Sequence, residues 1–128
     1  MYDSDLKFTD AIANIKPAAG FAYTGDFPMT EEKYATVEWA TGVEADGQTA
    51  ITTAVNPHPD LTWSAVNAEM TRLQTEYDSK VYARKRQGEY PSIKDFMEAY
   101  TEKEIGNDST KWDDYVINYN TVRTDNPK

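Results

Sequence analysis

Along the chain, the spacing of apolar positions changes character several times. Phe8, Ala11, Ile12 and Ile15 recur every three or four residues and make one stripe of a short helix. Asp3 or Ser4 can cap that helix by accepting from its first-turn amides, and Pro17 ends it. The period then shortens. Gly20–Gly25 is a strand candidate, and Tyr34–Trp39 alternates, with Val37 and Trp39 on one face and Thr36 and Glu38 on the other. Gly25, Asp26 and Pro28 lie between them, so an antiparallel pair is expected. Glu44–Gly47 predicts a turn, Thr49–Val55 a weaker third strand, and Asn56-Pro-His-Pro-Asp60 a stiff connector.

A long helix follows over about 63–87, where neither proline nor glycine occurs and Thr62 stands at the cap. Trp63, Val66, Met70, Leu73 and Tyr77 are spaced 3, 4, 3, 4, a heptad-like seam that ends at Lys80. The next turns are polar, at Lys80, Arg84, Lys85 and Arg86; Gly88 is placed to cap the helix and Pro91 to break the chain. Ser92 and Asp95 form a capping-box pair for a helix over about 93–105 with Ile93, Phe96, Met97 and Tyr100 on its apolar face. Gly106 stops it. A last helix, over about 110–123, carries Trp112, Tyr115, Val116, Tyr119 and Val122, and Asn126-Pro-Lys128 is a terminal tail. The expected fold is α+β: a small N-terminal helix, a two- or three-stranded antiparallel sheet, a long central helix, then two short helices. The expected division is residues 1–60, a small α+β subdomain, and residues 61–128, a helical region.

Charge narrows the function classes. The 128 residues hold 22 acids and 13 bases, a net of −9. Residues 1–64 carry 10 acids and 3 bases; residues 65–128 carry 12 and 10. Phosphate binding needs a cationic footprint, so nucleic acid is not an expected partner. The basic cluster at Lys80, Arg84, Lys85 and Arg86 fits a solvated helix end better, where cations oppose the helix dipole. There is no cysteine, which excludes disulfides and cysteine-held zinc and fits assembly in a reducing cytoplasm. No apolar run reaches the length of a membrane span, and the acidic Met1–Leu6 start is unlike a signal peptide.

Candidate chemistry is sparse. The lone His58 sits between two prolines, with no nucleophile elbow elsewhere, and is expected to be a solvent-exposed loop residue. The paired acids Glu31-Glu32 and Asp113-Asp114 point in different directions if helical, and fit solvated surface. Glu44-Ala-Asp46-Gly47 and Asn107-Asp108-Ser109 lack the acid spacing of a calcium loop. No catalytic residue, cofactor or metal ligand is therefore expected. The aromatic content is the unusual feature, with 9 Tyr, 3 Trp and 4 Phe. Tyrosine gives large contact area at low entropy cost, which suits a protein interface. The candidate interface residues are Trp63, Val66, Met70, Leu73 and Tyr77 on the long helix, and Tyr100, Trp112, Tyr115 and Tyr119 beyond it. Internal packing is the alternative at each of them.

The order of these segments, and above all Tyr82-Ala-Arg-Lys-Arg-Gln-Gly-Glu-Tyr90-Pro91-Ser-Ile93, resembles a family of small tailed-bacteriophage proteins. The likeness includes Asp10–Pro17, Phe21–Tyr23, Val37–Trp39, Leu61–Trp63, Trp112 and the Pro127-Lys128 ending; Gly42–Pro59 and the stretch after Phe96 depart from the family's pattern. Members are described as virion structural proteins or relatives of tail-fibre assembly proteins. The resemblance implies a non-enzymatic protein, made in the host cytoplasm and carried in the virion, that binds other tail or fibre proteins and can form homo-oligomers. A tail-fibre chaperone that leaves before maturity is the alternative. A small glycan hydrolase is a third class, without a motif to support it.

Overall fold

The computed structural model describes all of Met1–Lys128 and is α+β, with helices and a three-stranded antiparallel sheet. It divides into two compact units, Met1–Tyr77 and Asp78–Lys128. The sequence placed this boundary at residue 60. The division falls later because the apolar seam that begins at Trp63 packs on the residues before it.

In the first unit, helix α1 (Ser4–Ile15) starts where the Asp3 carboxylate accepts from the Asp5 amide at 3.2 Å, and ends one residue before Lys16. Its stripe lands as expected: Phe8, Ala11 and Ile12 are fully buried. The strands are β1 (Phe21–Ala22), β2 (Glu38–Val43) and β3 (Ala50–Thr53), in the order β1-β2-β3. Phe21 pairs with Trp39, and Trp39 with Thr53; the β2–β3 register slips by one between Ala40 and Gly42. Val37 and Trp39 point inward as the alternation predicts. Tyr34 does not extend that strand. It closes a single helical turn, α2 (Glu31–Tyr34), because the Thr30 side chain accepts from the Lys33 amide and competes with the extended form.

Helix α3 (Trp63–Ser79) begins under Thr62, whose hydroxyl accepts from the Ala65 amide at 3.2 Å. It does not run on to residue 87. Lys80 leaves helical geometry, at φ −103° and ψ 10°, and a separate helix α4 (Val81–Glu89) follows. The seam has no apolar side chain to bury at Lys80, so packing does not hold that turn against the break. One core joins these elements: Phe8, Ile12, Val37, Trp39, Leu61 and Val66 are its largest fully buried side chains. Phe8, Phe21, Tyr34, Trp39 and Trp63 meet there edge-on or tilted, with ring centroids 5.5–6.1 Å apart.

The second unit is three helices: α4, α5 (Ile93–Glu104) and α6 (Thr110–Asp125). Gly88 lies inside α4 and does not cap it. The stop is Tyr90, held extended at ψ 145° by the proline that follows. The expected capping box is formed: Ser92 Oγ accepts from the Asp95 amide at 3.1 Å and the Asp95 carboxylate accepts from the Ser92 amide at 3.2 Å. Helix α5 ends before Gly106, where a Cβ would stand 2.9 Å from the Glu102 carbonyl oxygen; Asn107 then takes a left-handed φ of 54°.

Candidate interaction surface

The residues expected to form an interface separate into two groups. Val66 and Met70 belong to the core of the first unit, and Trp63 and Leu73 pack against it. Tyr77 stacks on Tyr2 with centroids 5.3 Å apart, and the Tyr2 hydroxyl donates to Asp10, whose carboxylate helps push that phenol up to about 12. The heptad-like seam is thus internal packing, and an exposed interhelical stripe is not present on α3.

The C-terminal group makes a layer between α5 and α6. Phe96 lies 6.0 Å from Trp112 and 5.5 Å from Tyr115; Tyr100 lies 6.1 Å from Trp112; Tyr115 continues to Tyr119 at 6.3 Å. Lys103 Nζ sits 4.8 Å over the Trp112 ring, a cation on an aromatic face. Trp112, Tyr115 and Tyr119 are half-buried in this layer, while Tyr100 keeps 48% of its surface exposed.

The motif Tyr82–Ile93 has a structural role at each of its landmarks. Arg86 Nε donates to the backbone carbonyl of Asn126 at 2.8 Å, filling an acceptor at the C-terminal end of α6. Asn126 Nδ2 donates to Glu89 Oε2 at 2.7 Å and to the Val122 carbonyl at 3.0 Å. Asn126 is therefore not part of a loose tail; it is 8% exposed and the one buried polar residue. Tyr90 stacks on Tyr119 at 4.9 Å, and the guanidinium of Arg123 beside Tyr119 lowers that phenol below its ordinary value. Arg86 also lies 5.0 Å over the Tyr82 ring. The basic motif clasps α4 to α6.

His58 is a further correction. It is half-buried, with its ring 5.5 Å from that of Trp39 and its Nε2 atom enclosed without a hydrogen-bond partner. The stiff connector turns it inward: Asn56 Oδ1 accepts from the His58 amide at 2.9 Å, and the Leu61 amide donates to the His58 carbonyl at 3.1 Å. Asp46 serves the hairpin turn, where its carboxylate accepts from the amides of Gln48 and Thr49, each at 2.9 Å. No three metal-ligating side chains converge, and no helix is long and apolar enough to cross a membrane.

The surface that sequence reasoning did not single out is on α5. Ile93 is 80% exposed and Met97 60%; just past the end of α5, Ile105 is 79% exposed, and on α6, Ile117 is 61% exposed. Phe96 and Ala99 face α6, whereas Ile93 and Met97 lie further around the helix and are left outside. The signal was present in the pattern: an apolar arc covering Ile93, Phe96, Met97, Ala99 and Tyr100 is wider than one neighbouring helix can cover. Beside Ile93 and Met97, Lys94, Glu98 and Glu102 form a charged row, and Lys111 of α6 reaches Glu102 at 2.7 Å and Glu98 at 3.9 Å. The carboxylate of Glu102 raises the Lys111 ammonium above its ordinary value. Comparison with protein-family models, with curated proteins and with solved structures found no match.

Proposed function

We propose that this chain is a non-enzymatic structural protein of a tailed bacteriophage that binds other virion proteins in the tail or its fibres. The observation that carries the reading is the apolar surface left on α5, where Ile93 is 80% and Met97 60% exposed. Large apolar side chains gathered on one helix face, rimmed by charge, suit a protein contact. The first unit exposes apolar residues too, at Leu6, Val43, Ile51 and Val55, so the choice of the second rests on the row that Ile93 and Met97 form along one helix. The resemblance of Tyr82–Ile93 to small tailed-phage proteins supplies the setting.

Mass spectrometry of purified particles tests the proposal. The chain is expected at a fixed stoichiometry with other tail proteins, and Met97→Asp is expected to reduce its incorporation at least tenfold while the chain stays folded. Presence during assembly but absence from mature particles would replace this reading with a fibre-assembly chaperone. Full incorporation of the Met97→Asp chain would remove α5 as the contact.

A further inference from the structure

Two rows of side chains, each spaced by four residues, run along the outward side of α5. One is Ile93, Met97 and Thr101; the other is Lys94, Glu98 and Glu102. Such rows are the ridges of a helix surface, and the groove between them is shaped to receive a ridge of another helix. The charged row is uneven along its length, with its cation at the N-terminal end and both anions beyond. That asymmetry says which helix fits.

We propose that the occupant is α5 of a second copy of this chain, running antiparallel about a two-fold axis at Met97; this deepens the protein-binding reading above and rests on it. In a parallel pair each charge would face its like. In the antiparallel pair Met97 meets the partner's Met97, and Ile93 comes level with the partner's Thr101. Lys94 then enters between the partner's Glu98 and the partner's Glu102 as a second cation beside the Lys111 that already pairs with them, giving two cations to two carboxylates, and symmetry repeats the contact. A two-fold interface requires this kind of self-complementary patch. Lys94 has reach for it, since its side chain is 83% exposed and its nearest carboxylate within the chain is Glu98 at 3.8 Å. The antiparallel helix dipoles favour the same arrangement. Net charge points to the same unit: residues 1–77 carry 12 acids and 4 bases, residues 78–128 carry 10 acids and 9 bases. Two copies meeting through the second unit bring together surfaces close to neutral. A contact of three helical turns falls in the small interface class, below ~1,200 Å² in total, so the dimer is weak and exchanges freely.

Sedimentation velocity on the full chain, over roughly a hundredfold range of concentration reaching the millimolar end, tests this weak dimer. The expected result is a monomer–dimer equilibrium that Met97→Asp weakens at least tenfold. Lys94→Glu alone, and Glu98→Lys with Glu102→Lys alone, are each expected to lose the dimer by repulsion. An equimolar mixture of those two variants is expected to regain it, because each then presents the charge that the other lacks. Circular dichroism establishes that every variant keeps its helices. A wild-type chain that stays monomeric overturns the inference, as does a dimer indifferent to Met97→Asp or a mixture that fails to associate. A monomeric chain whose Met97→Asp variant nevertheless drops out of virions overturns the second copy as occupant and leaves the virion-protein reading standing.

Discussion

The two units hold their shape by different means. Met1–Tyr77 encloses a core of ten buried apolar residues and meets solvent with a surplus of acids. Asp78–Lys128 buries only Ala99 and Val122 among its apolar residues, and leaves Ile93, Met97, Ile105 and Ile117 open to water. In place of a core it has an aromatic layer, a capping box, and the clasp of Arg86 and Glu89 on Asn126. A region of this length has little interior to fill. The contrast teaches that apolar content alone does not locate a core: the first unit encloses ten such residues and still exposes Leu6, Val43, Ile51 and Val55, whereas the second encloses two.

The largest expected effect is a charge placed in the first core. Val66→Asp buries an unpaired carboxylate at a fully enclosed position, at a cost of about 3–5 kcal/mol, enough to unfold that unit. The three tryptophan indole N–H resonances separate the units: those of Trp39 and Trp63 are expected to collapse while that of Trp112 persists. Collapse of all three would break the comparison. In the second unit, Arg86→Gln removes a charged donor from the Asn126 carbonyl and is expected to cost about 1.5–3 kcal/mol, read from urea unfolding of the helical signal. Ser92→Ala is expected to cost about 1 kcal/mol through loss of the capping box. Met97→Asp, at an exposed position, is expected to change monomer stability by less than about 0.5 kcal/mol; a larger loss would mean that this face is internal packing after all.

The smallest effect is local and depends on pH. The Thr49 hydroxyl and amide and the Gln48 amide pull the Asp46 carboxyl from 3.8 down to about 2. Because the folded value is the lower one, the turn's contribution is present above the unfolded value of 3.8 and is lost as pH falls through about 2. The Thr49 amide resonance is expected to titrate with that midpoint, and a midpoint near 3.8 would mean that the hairpin tip is not held.

Much of this fold was legible in the residues. The stripe Phe8–Ile15, the inward Val37 and Trp39, the Thr62 cap and the Ser92–Asp95 box are local signals, and each is realised where the spacing puts it. The misreadings have two causes, a local hydrogen bond that outweighs the pattern and packing between residues distant in sequence. Tyr34 fits the alternation of a strand, yet Thr30 captures the preceding backbone in a helical turn. The helix through Lys80 has good local propensity, but the break falls where the seam has nothing left to bury. His58 looks exposed between two prolines until the fold brings Trp39 against it. The surface on α5 was half legible: its apolar arc was visible, but which part of it α6 would cover depends on how the chain turns at Gly106 and Asn107.

The clasp on Asn126 also has a consequence for the order of events at the ribosome. Every residue of the first core is in place once Tyr77 has been added, and that unit can form while the rest of the chain is still being made. The partners of Arg86 and Glu89 lie about forty residues further on, so the closing contacts of α4 exist only once α6 has been made. Until then Arg86 and Glu89 have neighbours in sequence but not the partners that fasten α4 to α6. The first unit therefore closes on residues already made, whereas the second closes late, by joining its two ends.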